Sequence, residues 1–202
     1  MIDFTAPVPV TLVVGNPRAG SRTHGVARFA TKLICADLRE RGLDVAEPDL
    51  VDLAELGPRL PMRVVGGKPE PEIERVLHLL RRPGLLVVAS PTFKGAYSGV
   101  LKLLLDLLPL EGLGPDTVAV ALMTAGWEQH RHVADTYLRT LLVELGATVP
   151  APALAVLESE FADLSTVVTG WATRSIPVLA GVLGGVPARC EDHRPVVEAS
   201  TR

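Results

Sequence analysis

V-P-V-T-L-V-V at 8–14 runs directly into G-N-P-R-A-G-S-R-T at 15–23, and this junction decides the fold. The first stretch is short, apolar and rich in β-branched residues, which suits a strand buried on both faces of a parallel sheet. Downstream, Val26, Phe29, Ala30, Leu33, Ile34 and Leu38 recur at helical spacing as far as Arg41, and Gly42 supplies a stop. A strand turning into a helix through such a loop exposes the unpaired N–H groups of the helix start at the carboxyl edge of the sheet. Open α/β sheets bind anionic ligands there.

The alternation continues along the chain. Asp44–Val51 reads as a weaker strand interrupted by Pro48, and 52–70 as a long loop with a short helix at its start. Glu72–Leu80 is a short helix, Gly84–Ala89 a central strand, and Tyr97–Leu108 a helix ended by Pro109. Thr117–Met123 is the next strand, and His130–Leu145 is a helix closed by Gly146. Pro150–Leu157 is a proline-interrupted edge strand, and Phe161–Leu183 a last helix kinked or divided at Pro177. Five strands alternating with five helices predict an α/β fold, a doubly wound five-stranded parallel sheet with helices on both faces. One domain is expected over 8–183, with a loose tail at 184–202.

Composition narrows the function. A chain of 202 residues, 48% hydrophobic, supports one well-buried domain and excludes global disorder. Twenty basic against twenty-three acidic residues leave a charge of −3, without the positive surface that nucleic acid requires. The start, M-I-D-F-T-A-P, has neither the basic nor the apolar region of a leader, and no unbroken apolar run reaches membrane-spanning length. A cytoplasmic protein is the expectation. Cys35 and Cys190 form no disulfide framework, and Glu128, His130 and His132 lead into a helix without a fourth ligand, so no metal is expected.

Two further strand ends carry chemistry besides the first loop. In that loop Gly15 permits a tight turn, Arg18 and Arg22 bring charge, and Ser21 and Thr23 bring hydroxyls at the helix start, a set that suits a phosphate. It is not a P-loop, because Ser21 and Arg22 follow Gly20, and the G-x-G-x-x-G dinucleotide fingerprint is absent too. The same residues also suit a plain helix cap with two solvated arginines. S-P-T-F-K-G-A-Y-S-G at 90–99 places Thr92, Phe93 and Lys94 at the end of the central strand, with Gly95 and Gly99 leaving room for a planar group. Lys94 is placed to stabilise a ring that gains negative charge, although Phe93 also suits the core and Lys94 the surface. M-T-A-G-W at 123–127 ends the fourth strand with Thr124, Ala125 and Gly126, small enough to bring amides against a ring.

Taken in order, G-N-P-R-A-G-S-R-T, S-P-T-F-K-G-A-Y-S-G-V-L-K-L-L-L-D-L-L-P and T-A-G-W-E-Q-H resemble the NAD(P)H-dependent FMN reductase family. The similarity is greatest to the reductase components of two-component alkanesulfonate monooxygenase systems, and it spans about Val10 to Ala155. It implies a flavodoxin-like fold with sheet order 2-1-3-4-5, FMN as cofactor, NADPH or NADH as co-substrate, and assembly as homodimers or homotetramers. By the same resemblance Asn16, Arg18, Ser21, Arg22 and Thr23 hold the FMN phosphate. Pro91, Thr92, Phe93, Lys94 and Gly95 line one side of the ring, and Thr124, Ala125 and Gly126 the other. Hydride then passes from the nicotinamide to N5 of FMN with no obligate protein acid or base, and reduced flavin leaves for a partner monooxygenase.

Three departures stand out. Asn16 replaces a common serine, Trp127 replaces a common second glycine and would narrow nicotinamide access, and Tyr137 falls one position from the interface tyrosine of the sulfonate-linked reductases. An FMN-retaining reductase of quinones, azo dyes or chromate, and a non-catalytic flavodoxin-like carrier, remain alternatives on the residues alone.

Overall fold

The computed structural model describes residues 6–68, 70–82 and 84–185. Strands β1 (Val10–Val14), β2 (Asp49–Asp52), β3 (Gly84–Pro91), β4 (Thr117–Ala125) and β5 (Leu154–Leu157) form one sheet in the order β2-β1-β3-β4-β5. Every pairing is parallel, so the expected order 2-1-3-4-5 is the observed one. β1, β3 and β4 are buried along their whole length, as strands covered on both faces must be.

Alternate residues of these strands feed two cores. Val10, Leu12, Val14, Val87, Val120 and Val156 pack beneath helices α1 (Arg22–Glu40) and α7 (Leu164–Gly185). On the opposite face, Val13, Val51, Val88, Ala119 and Met123 pack against α4 (Pro71–Arg81), α5 (Gly99–Leu105) and α6 (Thr140–Glu144).

Several boundaries differ from the sequence expectation for physical reasons. α1 begins four residues earlier than its apolar stripe, because Ser21 caps it, its Oγ accepting the His24 amide at 3.2 Å. β2 occupies only Asp49–Asp52; upstream, Val45 makes a lone bridge to Val8, and Pro48 lacks the donor a ladder needs. The stretch 52–70 is more ordered than a loop. It folds into α2 (Leu53–Leu56), a 3-10 turn at Gly57–Arg59 and α3 (Leu60–Val64). Asp52 caps α2 by accepting the Ala54 amide, and Leu53, Leu56 and Leu60 are buried in the core.

The expected single helix at His130–Leu145 arrives in three pieces: a 3-10 turn at Glu128–His130, a π-helical turn at Ala134–Arg139, and α6. The wider π turn carries Tyr137, which is half exposed. β5 is confined to Leu154–Leu157, downstream of Pro150 and Pro152. α7 passes through Pro177 without dividing. Its length and apolar composition, together with the turn before it, reach the range of a membrane span. Its buried residues Val168, Trp171, Ala172, Ile176, Leu179 and Leu183 nonetheless lie in the core beside α1, as in the core helix of a globular domain. Gly184 and Gly185 close α7, and the remainder of the expected tail lies outside the described residues.

Candidate functional site

The first loop is pinned before it reaches any ligand. The Gly15 amide donates to the Ala89 carbonyl at 2.7 Å, and the Gly15 carbonyl accepts the hydroxyl of Ser98, which in turn caps α5 through the Leu101 amide. Asn16 is buried, and its side-chain oxygen accepts the Arg18 amide at 3.0 Å. Its Nδ2 donates to Thr23 Oγ1 at 3.3 Å, and Thr23 Oγ1 lies 2.7 Å from Thr124 Oγ1. Much of the Asn16 amide is thus spent on shaping the loop. The chain Asn16–Thr23–Thr124 ties the end of β4 to the start of α1 within the interior. Beyond it, the amides of Arg22 and Thr23 open the helix, where no intrahelical carbonyl reaches them.

The second loop is also sewn from within. Ser90 Oγ accepts the Ser98 amide at 2.9 Å and donates to the Pro91 carbonyl, so the two serines that bound the motif meet each other. The Thr92 amide donates to the Thr124 carbonyl at 2.7 Å, which prolongs the β3–β4 ladder into the loop. Phe93 and Ala96 exchange backbone hydrogen bonds across Lys94 and Gly95, both at positive φ (52° and 79°), the signature of a tight type I′ turn.

A cavity of about 410 Å³ opens where these loops meet. Asn16, Arg18, Ser21, Arg22 and Thr23 line it from the first loop, Pro91, Thr92 and Phe93 from the second, and Thr124, Ala125 and Gly126 from the third. Lys94 and Gly95 are not in its wall; they form the tip of the turn beside it. Trp127 is exposed and also stands outside the wall. A cleft of about 500 Å³ between α1 and β2 is the larger of the two, yet it lies away from all three strand-end loops, so size does not choose the site.

Ala19 and Gly20 of the first loop also line the cavity, and two further wall residues come from outside all three motifs. Glu158 and Phe161 come from the 3-10 turn Glu158–Asp163 that follows β5. The signal was topological: in a parallel sheet every strand delivers its next residues to the same edge. Arg22 reaches this turn, with Nη2 3.2 Å from Glu158 Oε1 and its guanidinium carbon 5.3 Å from the Phe161 ring centre.

Arg131 anchors the same turn through Glu160 at 2.8 Å and also pairs with Glu128. Hydrogen bonds to Glu128 and then Glu160 raise the Arg131 pKa further above its ordinary value. The Glu160 carboxyl is lowered on balance: burial alone would raise it, but hydrogen bonds from Arg131 and the Leu157 amide outweigh that. Glu128 is thereby engaged as an ion-pair partner. Among the described residues, no three His, Cys, Asp or Glu side chains gather as a metal site.

Residues 8–161 match the model of a family described as NADPH-dependent FMN reductase. The chain belongs to that family. This FMN reductase family member is 31% identical to the NADH-dependent FMN reductase SfnF of Pseudomonas fluorescens, over 79% of this chain and 82% of the other. It is likewise 31% identical to the FMN reductase (NADPH) of Escherichia coli, over 79% and 75% of the two chains. Among solved structures, an oxidoreductase from Corynebacterium diphtheriae superposes with a TM-score of 0.75 at 23% identity, covering 89% of this chain and 98% of that one. The apo form of an NADH:FMN oxidoreductase superposes at 0.64 with 20% identity, over 83% and 90% of the chains. These two likenesses bear on the fold alone.

The cavity fits FMN through its donor set: Arg18, Ser21 and Arg22 line it where α1 begins, and the small residues Ala125 and Gly126 line it at the end of β4. Replacing Thr124 by Val should remove the partner of Thr23, cost about 1–2 kcal/mol in denaturant unfolding, and weaken FMN binding in a fluorescence titration.

Proposed function

We propose that the chain is an NAD(P)H-dependent FMN reductase whose cavity at the ends of β1, β3 and β4 binds the flavin and whose reduced product serves a partner monooxygenase. The cavity wall at the start of α1, where Arg18, Ser21 and Arg22 meet the open helix amides, supports this reading most directly. Arg18, whose side chain has no partner among the described residues, Ser21, Arg22 and the first amides of α1 would hold the phosphate. Thr92, Thr124 and the small residues Ala125 and Gly126 would present donors and close-lying backbone to the ring. When bound, FMN supplies a hydride acceptor at N5. The protein's own share is geometric: it positions the two reactants, narrows the access of water and meets the developing charge with fixed dipoles.

Lys94 has a smaller part here than its sequence position suggests, because it sits at the turn tip. Lys94→Ala is expected to keep FMN affinity and turnover within about twofold, as an exposed substitution does. A tenfold loss in either would return the ammonium to the flavin. A homodimer or homotetramer suits the exposed Trp127 and Phe93 beside the cavity mouth, since apolar side chains of that size favour cover by a second subunit. A cytoplasmic setting suits an enzyme that draws on reduced nicotinamide.

The deciding experiment is anaerobic stopped-flow absorbance at the flavin band with purified protein, FMN, and NADPH or NADH in turn. Rapid bleaching, with reduced flavin that passes a filter retaining protein, is the expected result. Bleaching with the flavin retained would favour a reductase that keeps FMN for another acceptor. Bound flavin that stays yellow with both nucleotides would end the enzyme reading.

A further inference from the structure

We propose that Glu158 is a built-in competitor for the flavin phosphate, holding Arg22 at the cavity so that FMN is exchanged rather than retained. This rests on the cavity being the FMN site. Arg22 is the first residue of α1, where a phosphate would meet the helix amides, yet its guanidinium is engaged on the far wall by Glu158 Oε1 at 3.2 Å and by the Phe161 ring. All three residues line one cavity. A carboxylate there neutralises one of the two loop arginines, the opposite of what tight anion retention requires.

The competitor is held in place. Glu160 accepts the Leu157 amide at 2.8 Å and pairs with Arg131, which also donates to the Ala155 carbonyl, so the turn bearing Glu158 and Phe161 is tied back to β5. The Arg22–Glu158 pair is itself loose, its side chains 67% and 53% exposed, so an arriving phosphate can displace it. A phosphate takes a guanidinium through two parallel hydrogen bonds and releases the carboxylate to water. The affinity for a phosphate-bearing flavin is then the outcome of an exchange, whereas riboflavin, lacking the phosphate, does not enter it.

FMN and riboflavin should be titrated, by quenching of flavin fluorescence, into wild type, Glu158→Gln, Arg22→Gln and the double variant. Glu158→Gln is expected to tighten FMN roughly three- to fivefold, the range of an exposed ion pair, with riboflavin unchanged. In the Arg22→Gln background the same substitution should leave FMN affinity unchanged. FMN unaffected or weakened by Glu158→Gln, both flavins tightened alike, or an equal gain without Arg22 would each overturn the proposal. Wild type that binds neither flavin would instead overturn the FMN site itself, and the competitor with it.

Discussion

Gly15→Ala is expected to destabilise the protein by about 2–3 kcal/mol, an effect of overpacking. A Cβ at this position would stand 2.9 Å from Leu101 Cβ and 3.1 Å from the Ala89 carbonyl oxygen. Neither neighbour is the free end of a flexible chain: Leu101 Cβ is fixed to α5, and Ala89 belongs to the fully buried β3. Relief requires α5 to move away from β1, and that movement opens the seam from which the first loop emerges. FMN affinity should therefore fall about tenfold, or about 1.4 kcal/mol, alongside the loss of stability. Urea unfolding and a flavin titration on the same variant check both; unchanged stability would mean that α5 is not seated against Gly15.

Ser98→Ala attacks the same seam from the other side. The Ser98 hydroxyl donates to the Gly15 carbonyl and accepts the Leu101 amide as the cap of α5, and the residue is almost fully buried. Alanine leaves a carbonyl and an amide unpaired in the interior, so a loss of about 2–3 kcal/mol is expected. For a chain of this length that corresponds to a fall in Tm of roughly 5–10 °C. Ser98→Thr keeps the hydroxyl and separates the bonding role from side-chain volume. Both variants act on the β1–α5 contact, so their effects should combine less than additively.

Much of this was legible in the chain. The runs at Val8–Val14, Gly84–Ala89 and Thr117–Met123 were legible as buried strands, observed as Val10–Val14, Gly84–Pro91 and Thr117–Ala125, because a largely apolar run is a local property that a strand covered on both faces requires. The three strand-end loops were legible for the same reason, since glycine and proline at the end of such a run dictate a turn locally. Other elements were hidden. The short helix expected at the start of 52–70 is α2, but the glycines and prolines that follow masked α3, whose Leu60 is buried like Leu53 and Leu56. The π turn at Ala134–Arg139 has no sequence period of its own.

Local sequence therefore determined the buried strands and the loops that meet at the carboxyl edge, because strand burial and turn chemistry are encoded within a few residues. The strand order was implied by the resemblance to the FMN reductase family, and it is the order observed. Tertiary structure alone decided which side chains face one another there. Thr23 meets Thr124 across 101 residues and Ser98 meets Gly15 across 83, separations closed by the parallel pairing of β1, β3 and β4. It also assigned roles. Ser98 and Asn16 became braces of the loops, Lys94 the tip of a turn, and Glu158 with Phe161 an unforeseen wall opposite Arg22. A residue's chemistry is written in its side chain, but the direction in which it is used is set by the neighbours that packing supplies.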